Sequence, residues 1–519
     1  MATDFPSSQF YRYHQATKHT RARVYAGGWH LDWANQPDPF RRYDGVPVVR
    51  LPPPQRPEGG DLFHSPSGKP ASKPLTLGDL STLLCHSMAI SAWKQIPGTD
   101  VRWALRVNPS SGNLHPTETH LILSGVEGID DGIYHFRVDT FTLEARFQDD
   151  VTGVIRAISR IAGLRCGAVT FLLTSILWRE AWKYRDRAFR YCHHDLGHAL
   201  GAIATMLQGL GHTPRVAHLF DDRKLMRWTG LSETDERPGI LITFGEPCAG
   251  EGEEGEPPEC RGEPNQLSPE VIEYRSIEEV WEATSTLTLS TSPEAGCHSE
   301  TRGLHQAIPL AREGVARRGL WEAIRTRRSG IAFDGKTGCT LEDLGLMLHS
   351  ATEGLDCDIH SFRRGSGGLF HVHLFVWAHR VEGLPAGCWA YDRTAHALQP
   401  IIPGDVRGLA ASLSLDQAIA GDSAFAISMV ADLGRAHTRF GERAYRAVHI
   451  EAGHIGQGLY LGAESLGLQA TGIGAFFDNE VNQVLGLSEG LEVIYHFTVG
   501  GALPDRRVRQ LASYDFDRG

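Results

Sequence analysis

The chain repeats itself. LTLGDLSTLLCHS from Leu75 returns as CTLEDLGLMLHSA from Cys339, SSGNLHPTETHLIL from Ser110 as GSGGLFHVHLFVW from Gly365, and VEGIDDGIYHF from Val126 as VEGLPAGCWAY from Val381. RDRAFRYCHHDLGHAL from Arg185 then returns as GERAYRAVHIEAGHIG from Gly441, and GILITFGEP from Gly239 as LEVIYHFTVGG from Leu491. One such match arises by chance; a collinear series near 255 residues apart reads as a duplicated domain. A length of 519 residues alone favours about three domains. The repeat narrows this to two copies and their connections.

The copies are placed at 61–247 and 319–519. Residues 1–60 form an N-terminal arm ending in the stiff PPPQRP. The connecting segment 248–318 opens with AGEGEEGEPPECRGE, whose six Glu among Gly and Pro are too polar for a core, and order is expected to resume in IEEVWEATSTL. TETHLIL, FHVHLFVW, AVTFLLTS and AFAISMV read as strands. Tyr445 to Leu466 reads as a helix apolar nearly all round, and therefore buried. It carries Gly453, Gly456, Gly458 and Gly462, each unfavourable in a helix by about 1 kcal/mol relative to Ala. Such glycines imply that another backbone lies very close. The expectation is that this helix packs on its counterpart, with Gly197 and Gly201, as a pseudo-two-fold pair.

The hydrophobic fraction of 41% and charged fraction of 22% are those of a folded chain. A net charge of -11 without a basic stripe argues against nucleic-acid binding. No apolar run approaches the ~18 residues that cross a bilayer, and the N-terminus has no apolar signal segment. Nine cysteines without a CxxC pair support neither a disulfide scaffold nor a zinc ribbon. The expectation is a cytoplasmic protein with reduced thiols.

Two motifs carry chemistry. In TRRSGIAFDG, Arg327, Arg328 and Ser329 offer guanidinium forks and a hydroxyl suited to a phosphate, or else form an exposed basic turn. In NPSSGNLHP, the hydroxyls and backbone N–H groups around Gly112 could cradle a polar planar ligand, or form a plain turn. Asp195-x-x-His198 and Glu451-x-x-His454 have a spacing used by di-iron bundles, and His194 and His198 sit four apart as zinc ligands can. Without further inward carboxylates these read as buried hydrogen-bonded groups, and no metal is expected.

The order of RRS, a PSSGN loop, a Gly-rich buried helix and a GxG loop resembles the nitroreductase-like flavoproteins, in particular the SagB-type (ThcOx) dehydrogenase branch. YHQATKHT, NPSSGNLHP, WKYRDRAFRY and ERAYRAVHIEAGH carry the resemblance over nearly the whole chain. It implies an α+β fold: two tandem nitroreductase-like domains, each a mixed sheet flanked by helices, packed as an intramolecular pseudo-dimer. A further homodimer is left open.

It also implies FMN, with Arg327, Arg328 and Ser329 on the phosphate and Pro109, Ser110, Ser111 and Asn113 approaching from the first copy. Gly472 and Gly474 of TGIGAFFD would line the flavin edge, and Arg506 and Arg507 of GGALPDRRVR would add charge for the phosphate. The first copy lacks RRS and the GxG, and the second replaces PSSGN by Arg364-Gly365-Ser366-Gly367-Gly368. One FMN per chain is therefore expected.

Lys183-Tyr184 resembles the Lys-Tyr that SagB-type dehydrogenases use near substrate, the lysine lowering the phenol's pKa; the second copy has Arg439-Phe440. Otherwise the pair merely packs at a helix. The implied activity is FMN-dependent oxidation, with an azoline in a peptide as the substrate by analogy. The alternatives are an NAD(P)H-dependent nitro, quinone or flavin reductase acting on a small molecule, and a non-catalytic flavin-binding protein.

Overall fold

In the computed structural model of the chain, which describes residues 5–27, 30–57, 60–63, 74–232, 234–247, 252–287, 307–358 and 371–516, Thr76 and Thr340 open matching helices by one device. Each hydroxyl accepts from the backbone N–H three residues on, and that residue's carboxylate, Asp79 or Asp343, accepts from the threonine's own N–H. Two of the N–H groups that every helix start leaves unpaired are thereby satisfied. The helices so begun, Leu77–Cys85 and Leu341–Ala351, each turn an apolar face to the core.

Each half supplies a largely antiparallel sheet. In the first the strand order is Asp356–Cys357, Arg215–Ala217, Glu236–Pro247, Gly167–Ile176, Thr117–Leu123, Gly132–Arg137, Thr142–Gln148 and Val48–Arg50. Only the outermost pair, Asp356–Cys357 on Arg215–Ala217, runs parallel. The second has the order Ile308–Pro309, Ala397–Pro403, Gly387–Asp392, Val372–Ala378, Phe425–Asp432, Leu491–Gly500 and Gln469–Ile473. Thr117–Leu123 is buried at every position, which explains its unbroken rather than alternating pattern. The four segments read as strands all lie in these two sheets; Phe370, at the start of one, falls outside the described residues.

The long helices Ala188–Gly209 and Ala444–Ser465 pack directly on each other, as their glycines imply. A methyl group on Gly197 would lie 2.2 Å from the Ile450 carbonyl oxygen, and one on Gly453 would lie 2.1 Å from that of His194. Gly197 faces Gly453 and Gly201 faces Gln457, so corresponding positions meet. The expected fold class is observed: α+β, two helix-flanked sheets joined through their long helices.

Space and sequence divide the molecule differently. The first sheet borrows an edge strand from the second half and another from the arm, which covers backbone groups an open edge would leave unpaired. The last strand, Arg509–Leu511, joins the hairpin Ile90–Gln95 and Arg102–Arg106. The acidic connection is not a free tether. Glu254 meets Arg160 at 2.9 Å, and Glu263–Pro264 pairs with Tyr43–Asp44 of the arm. Order resumes in the helix Arg275–Ser285. The arm is tied to the second half: Lys18 Nζ bonds Glu492 at 2.8 Å, and the His19 N–H donates to Asp478 at 2.9 Å.

Candidate active site

Arg327, Arg328 and Ser329 follow the helix Leu320–Thr326 and run alongside the strand Gln469–Ile473. Ser329 bridges Ala470 in parallel, and the Gly330 N–H donates to the Ala470 carbonyl at 3.0 Å. Tyr460, on the second long helix, joins both segments. Its hydroxyl pairs with Ser329 Oγ at 2.9 Å and accepts from the Gly472 N–H at 3.1 Å. RRS and the GxG loop, about 140 residues apart in sequence, thus form one wall. The wall belongs to a cavity of about 450 Å³ lined by residues of both halves, a size typical of small-molecule and cofactor sites.

Arg327 is buried and donates to the carbonyls of Val107 at 3.0 Å and Arg106 at 3.2 Å. Its Nη1 is buried without a partner, as is Oδ1 of Asn108 across the cavity wall. Burial lowers the pKa of both guanidinium groups, that of Arg328 to about 10. A buried cation with an unspent donor, next to a half-buried one, fits an anion such as a phosphate. The close approach at the glycines leaves the wall no spare side-chain volume. A methyl on Gly472 would strike Tyr495 Oη at 1.9 Å, and one on Gly474 would strike the Tyr191 ring at 2.3 Å. These donors and the shallow glycine wall fit a planar phosphorylated cofactor such as FMN.

The opposite wall is the loop from Asn108 to Asn113, held from below by the first long helix. Ser110 Oγ donates to Asp195 Oδ2 at 2.7 Å, while the N–H and Oγ of Ser111 donate to Oδ1 at 3.0 and 2.9 Å. Burial raises the Asp195 pKa to about 7, with these bonds from Ser110 and Ser111 opposing the rise. Gly112 turns the loop at φ +59°; a methyl there would lie 2.7 Å from Tyr184 Oη and 3.1 Å from Lys183 Nζ. Asn113 Nδ2 closes the loop on the Ala104 carbonyl at 2.9 Å.

Tyr184 lines the cavity, its ring edge-on to Tyr191 with centroids 4.6 Å apart. Lys183 does not line the cavity but extends to the same loop. The expected lowering of the phenol's pKa is not found. Burial first, then Glu180 and Tyr191, push it well above 10, so Tyr184 is a neutral phenol at neutral pH.

Pro109, Ser110, Ser111, Asn113, Arg327, Arg328, Ser329, Gly472 and Gly474 all line the cavity. Arg506 and Arg507, expected to add charge for the phosphate, do not line it. They sit on an exposed turn leading to Arg509–Leu511, where Arg507 pairs with Asp505 at 2.8 Å. The cation on that side of the lining is Lys94.

Tyr191, Asp195 and His198 also line the cavity, at the i, i+4, i+7 spacing that puts them on one helix face. The carboxylate-x-x-His motif flagged two of them, with a metal in view. Among the described residues no His, Cys, Asp and Glu group could hold a metal ion. Tyr460 and Tyr495 had no signal in the sequence. A larger cleft of about 1390 Å³, lined by Arg56, Trp93, Arg102, Trp321 and Arg325, adjoins the cavity at Arg328.

The pseudo-equivalent position in the first half is differently occupied. Where Ser329 runs beside Ala470, Asp356–Cys357 runs beside Arg215–Val216. Asp358 then accepts from the N–H groups of His218 at 2.9 Å and Leu219 at 2.6 Å. The stretch from Arg364 to Gly368, the counterpart of the PSSGN loop, lies outside the described residues.

Among the described residues no helix is long and apolar enough to cross a membrane. A protein of Methanocaldococcus jannaschii carrying a provisional nitroreductase name is 29% identical over 168 residues, covering 32% of this chain and 85% of the relative. The crystal structure of a provisionally named nitroreductase of Anabaena variabilis superposes with a TM-score of 0.75 at 25% identity, covering 96% of this chain and 100% of that one. Residues 324–501, which hold the RRS wall, Tyr460 and the GxG loop, match the model of the Nitroreductase family.

Proposed function

We propose that the chain is an FMN-dependent oxidoreductase with one flavin site, built from two tandem nitroreductase-like copies at about 61–247 and 319–519. The observation that carries this reading is the buried Arg327 with its unpartnered Nη1, set beside Ser329 and Gly472 and facing the Asn108–Asn113 loop of the other half. Arg327, Arg328 and Ser329 hold the phosphate, and the two loops flank the ring system. Bound flavin supplies the hydride-accepting chemistry. Tyr184 presents a neutral hydroxyl to the cavity, and Lys183 reaches the same loop at Gly112 from outside the lining. Asp358, seated on the amides of His218 and Leu219, supports a single site per chain.

In the SagB-type reading the substrate is a peptide azoline. The neutral Tyr184 favours a second reading, since a phenol that keeps its proton donates rather than accepts one. In that reading the chain is an NAD(P)H-dependent reductase of nitro compounds, quinones or flavins, and Tyr184 protonates the product.

Flavin released from purified protein and counted against chain concentration tests the common core. One FMN per chain is expected, and none after incubation with excess FMN overturns it. Rapid anaerobic bleaching by NAD(P)H then selects the reductase; its absence, with turnover of an azoline peptide that Lys183→Ala and Tyr184→Phe abolish, selects the dehydrogenase.

A further inference from the structure

The cavity wall supplied by the first half is a loop, and loops hold geometry only as well as their anchors do. At Ser110 and Ser111, the middle of the loop from Asn108 to Asn113, that anchor is one side chain. Asp195, 1% exposed, receives the Ser110 hydroxyl, the Ser111 hydroxyl and the Ser111 N–H. Ser110 Oγ in turn accepts from the His115 N–H at 2.8 Å, so the same carboxylate governs the far end of the loop. Bonds to an ionised acceptor are about twice as strong as neutral ones, and a buried carboxylate without them would be costly.

We propose that Asp195 is a positioning residue for the candidate site: as a carboxylate it locks the 108–113 loop against the first long helix in the form that faces the cofactor. Protonation loosens it. The proposal rests on the flavin reading for its functional consequence, but not for its structural one.

The groups facing Asp195 fix what a titration would report. Glu180 and Tyr184 approach from the helix Leu177–Tyr184, Tyr495 from the strand Leu491–Gly500, and Cys192 from its own helix. Burial raises all four, so Tyr184, Tyr495 and Cys192 stay neutral where a carboxylate with a pKa near 7 changes charge, while Glu180 is held well above the usual carboxylate range. Lys183 faces Glu180 as the neighbouring cation. Both oxygens of Glu180 are buried without a partner, so Glu180 is the group to separate from Asp195 by mutation.

The experiment uses the full-length chain, Asp195→Asn, the double variant Ser110→Ala/Ser111→Ala, their combination, and Glu180→Gln. Amide hydrogen exchange of the peptide spanning 105–116, without added flavin, reads the loop directly. Asp195→Asn is expected to accelerate exchange there about tenfold or more at pH 8, and the serine double to do the same. The combination is expected to add nothing, since the residues act through one set of bonds.

FMN titration gives the functional arm. Affinity in the wild type and in Glu180→Gln is expected to fall about tenfold as pH drops through about 7, and to be low and flat with pH in Asp195→Asn. Unchanged exchange in Asp195→Asn, or fully additive effects with the serines, overturns the proposal. A pH response lost in Glu180→Gln but kept in Asp195→Asn also overturns it. If no variant and no wild type binds FMN while the exchange pattern holds, the flavin reading fails and the anchoring role stands.

Discussion

Arg187 ion-pairs with Asp478 at 3.1 Å across the two halves of the chain. Arg190 joins it at 2.9 Å, while Arg443 and Arg446 hold Asp222 at 2.6 Å each. Arg187 also donates to the Gly474 carbonyl, as Arg443 does to that of His218. Each half thus clamps the loop of the other with two arginines, and both carboxylates begin short helices whose positive ends favour them. Replacing Asp478 by Asn leaves two buried guanidinium groups uncompensated and is expected to cost about 3–5 kcal/mol. Urea denaturation of the variant checks this.

The same contact sets a pH dependence. Burial alone would raise the Asp478 pKa, but Arg187 and Arg190 outweigh it and bring it from 3.8 to about 2. The folded value lies below the unfolded one, so the contribution is complete above pH 4 and is lost as pH falls through about 2. Acid unfolding is expected to steepen in that window and to be shallower in Asp478→Asn.

Gly197 and Gly453 give a test of the helix contact. Alanine is the better helix former by about 1 kcal/mol, yet each methyl would strike a carbonyl oxygen that cannot move alone. Gly197→Ala and Gly453→Ala are expected to destabilise by about 1–3 kcal/mol or more, whereas the exposed Gly408, with open space around it, should accept alanine with no loss. Thermal melts of the three variants decide it.

Arg185, immediately after Tyr184, holds φ +49° and ψ −135°, a backbone that glycine tolerates and other residues rarely adopt. Its counterpart is Gly441, at φ +58° and ψ −142°. Arg185→Gly is expected to stabilise the chain by about 1 kcal/mol, and Gly441→Ala to destabilise it by a similar amount. Differential scanning calorimetry reads both.

Arg327 and Tyr184 separate binding from chemistry. Arg327→Ala removes the buried donor and is expected to abolish FMN retention on a desalting column. Tyr184→Phe is expected to retain flavin and lose turnover. Because the phenol's pKa is raised well above 10, the wild-type rate should show no inflection from Tyr184 between pH 7 and 10. A pH–rate profile lacking any such inflection agrees; a tyrosinate absorbance that appears in that range and is missing in Tyr184→Phe does not.

The order of residues showed the internal repeat, since repetition needs no knowledge of what touches what. It determined the buried long helices, because glycines in an apolar helix have a local cost that only a close neighbour offsets. It also marked RRS and PSSGN, whose chemistry is local. Tertiary structure alone decided that Tyr460 ties RRS to Gly472, that Asp195 accepts hydrogen bonds from Ser110 and Ser111, and that Arg506 and Arg507 lie outside the cavity lining. It also decided that Tyr184 keeps its proton. The physical reason is common to all four. A hydrogen-bond partner from another segment of the chain, and the water that burial removes, act through space, and neither leaves a period or a spacing in the chain.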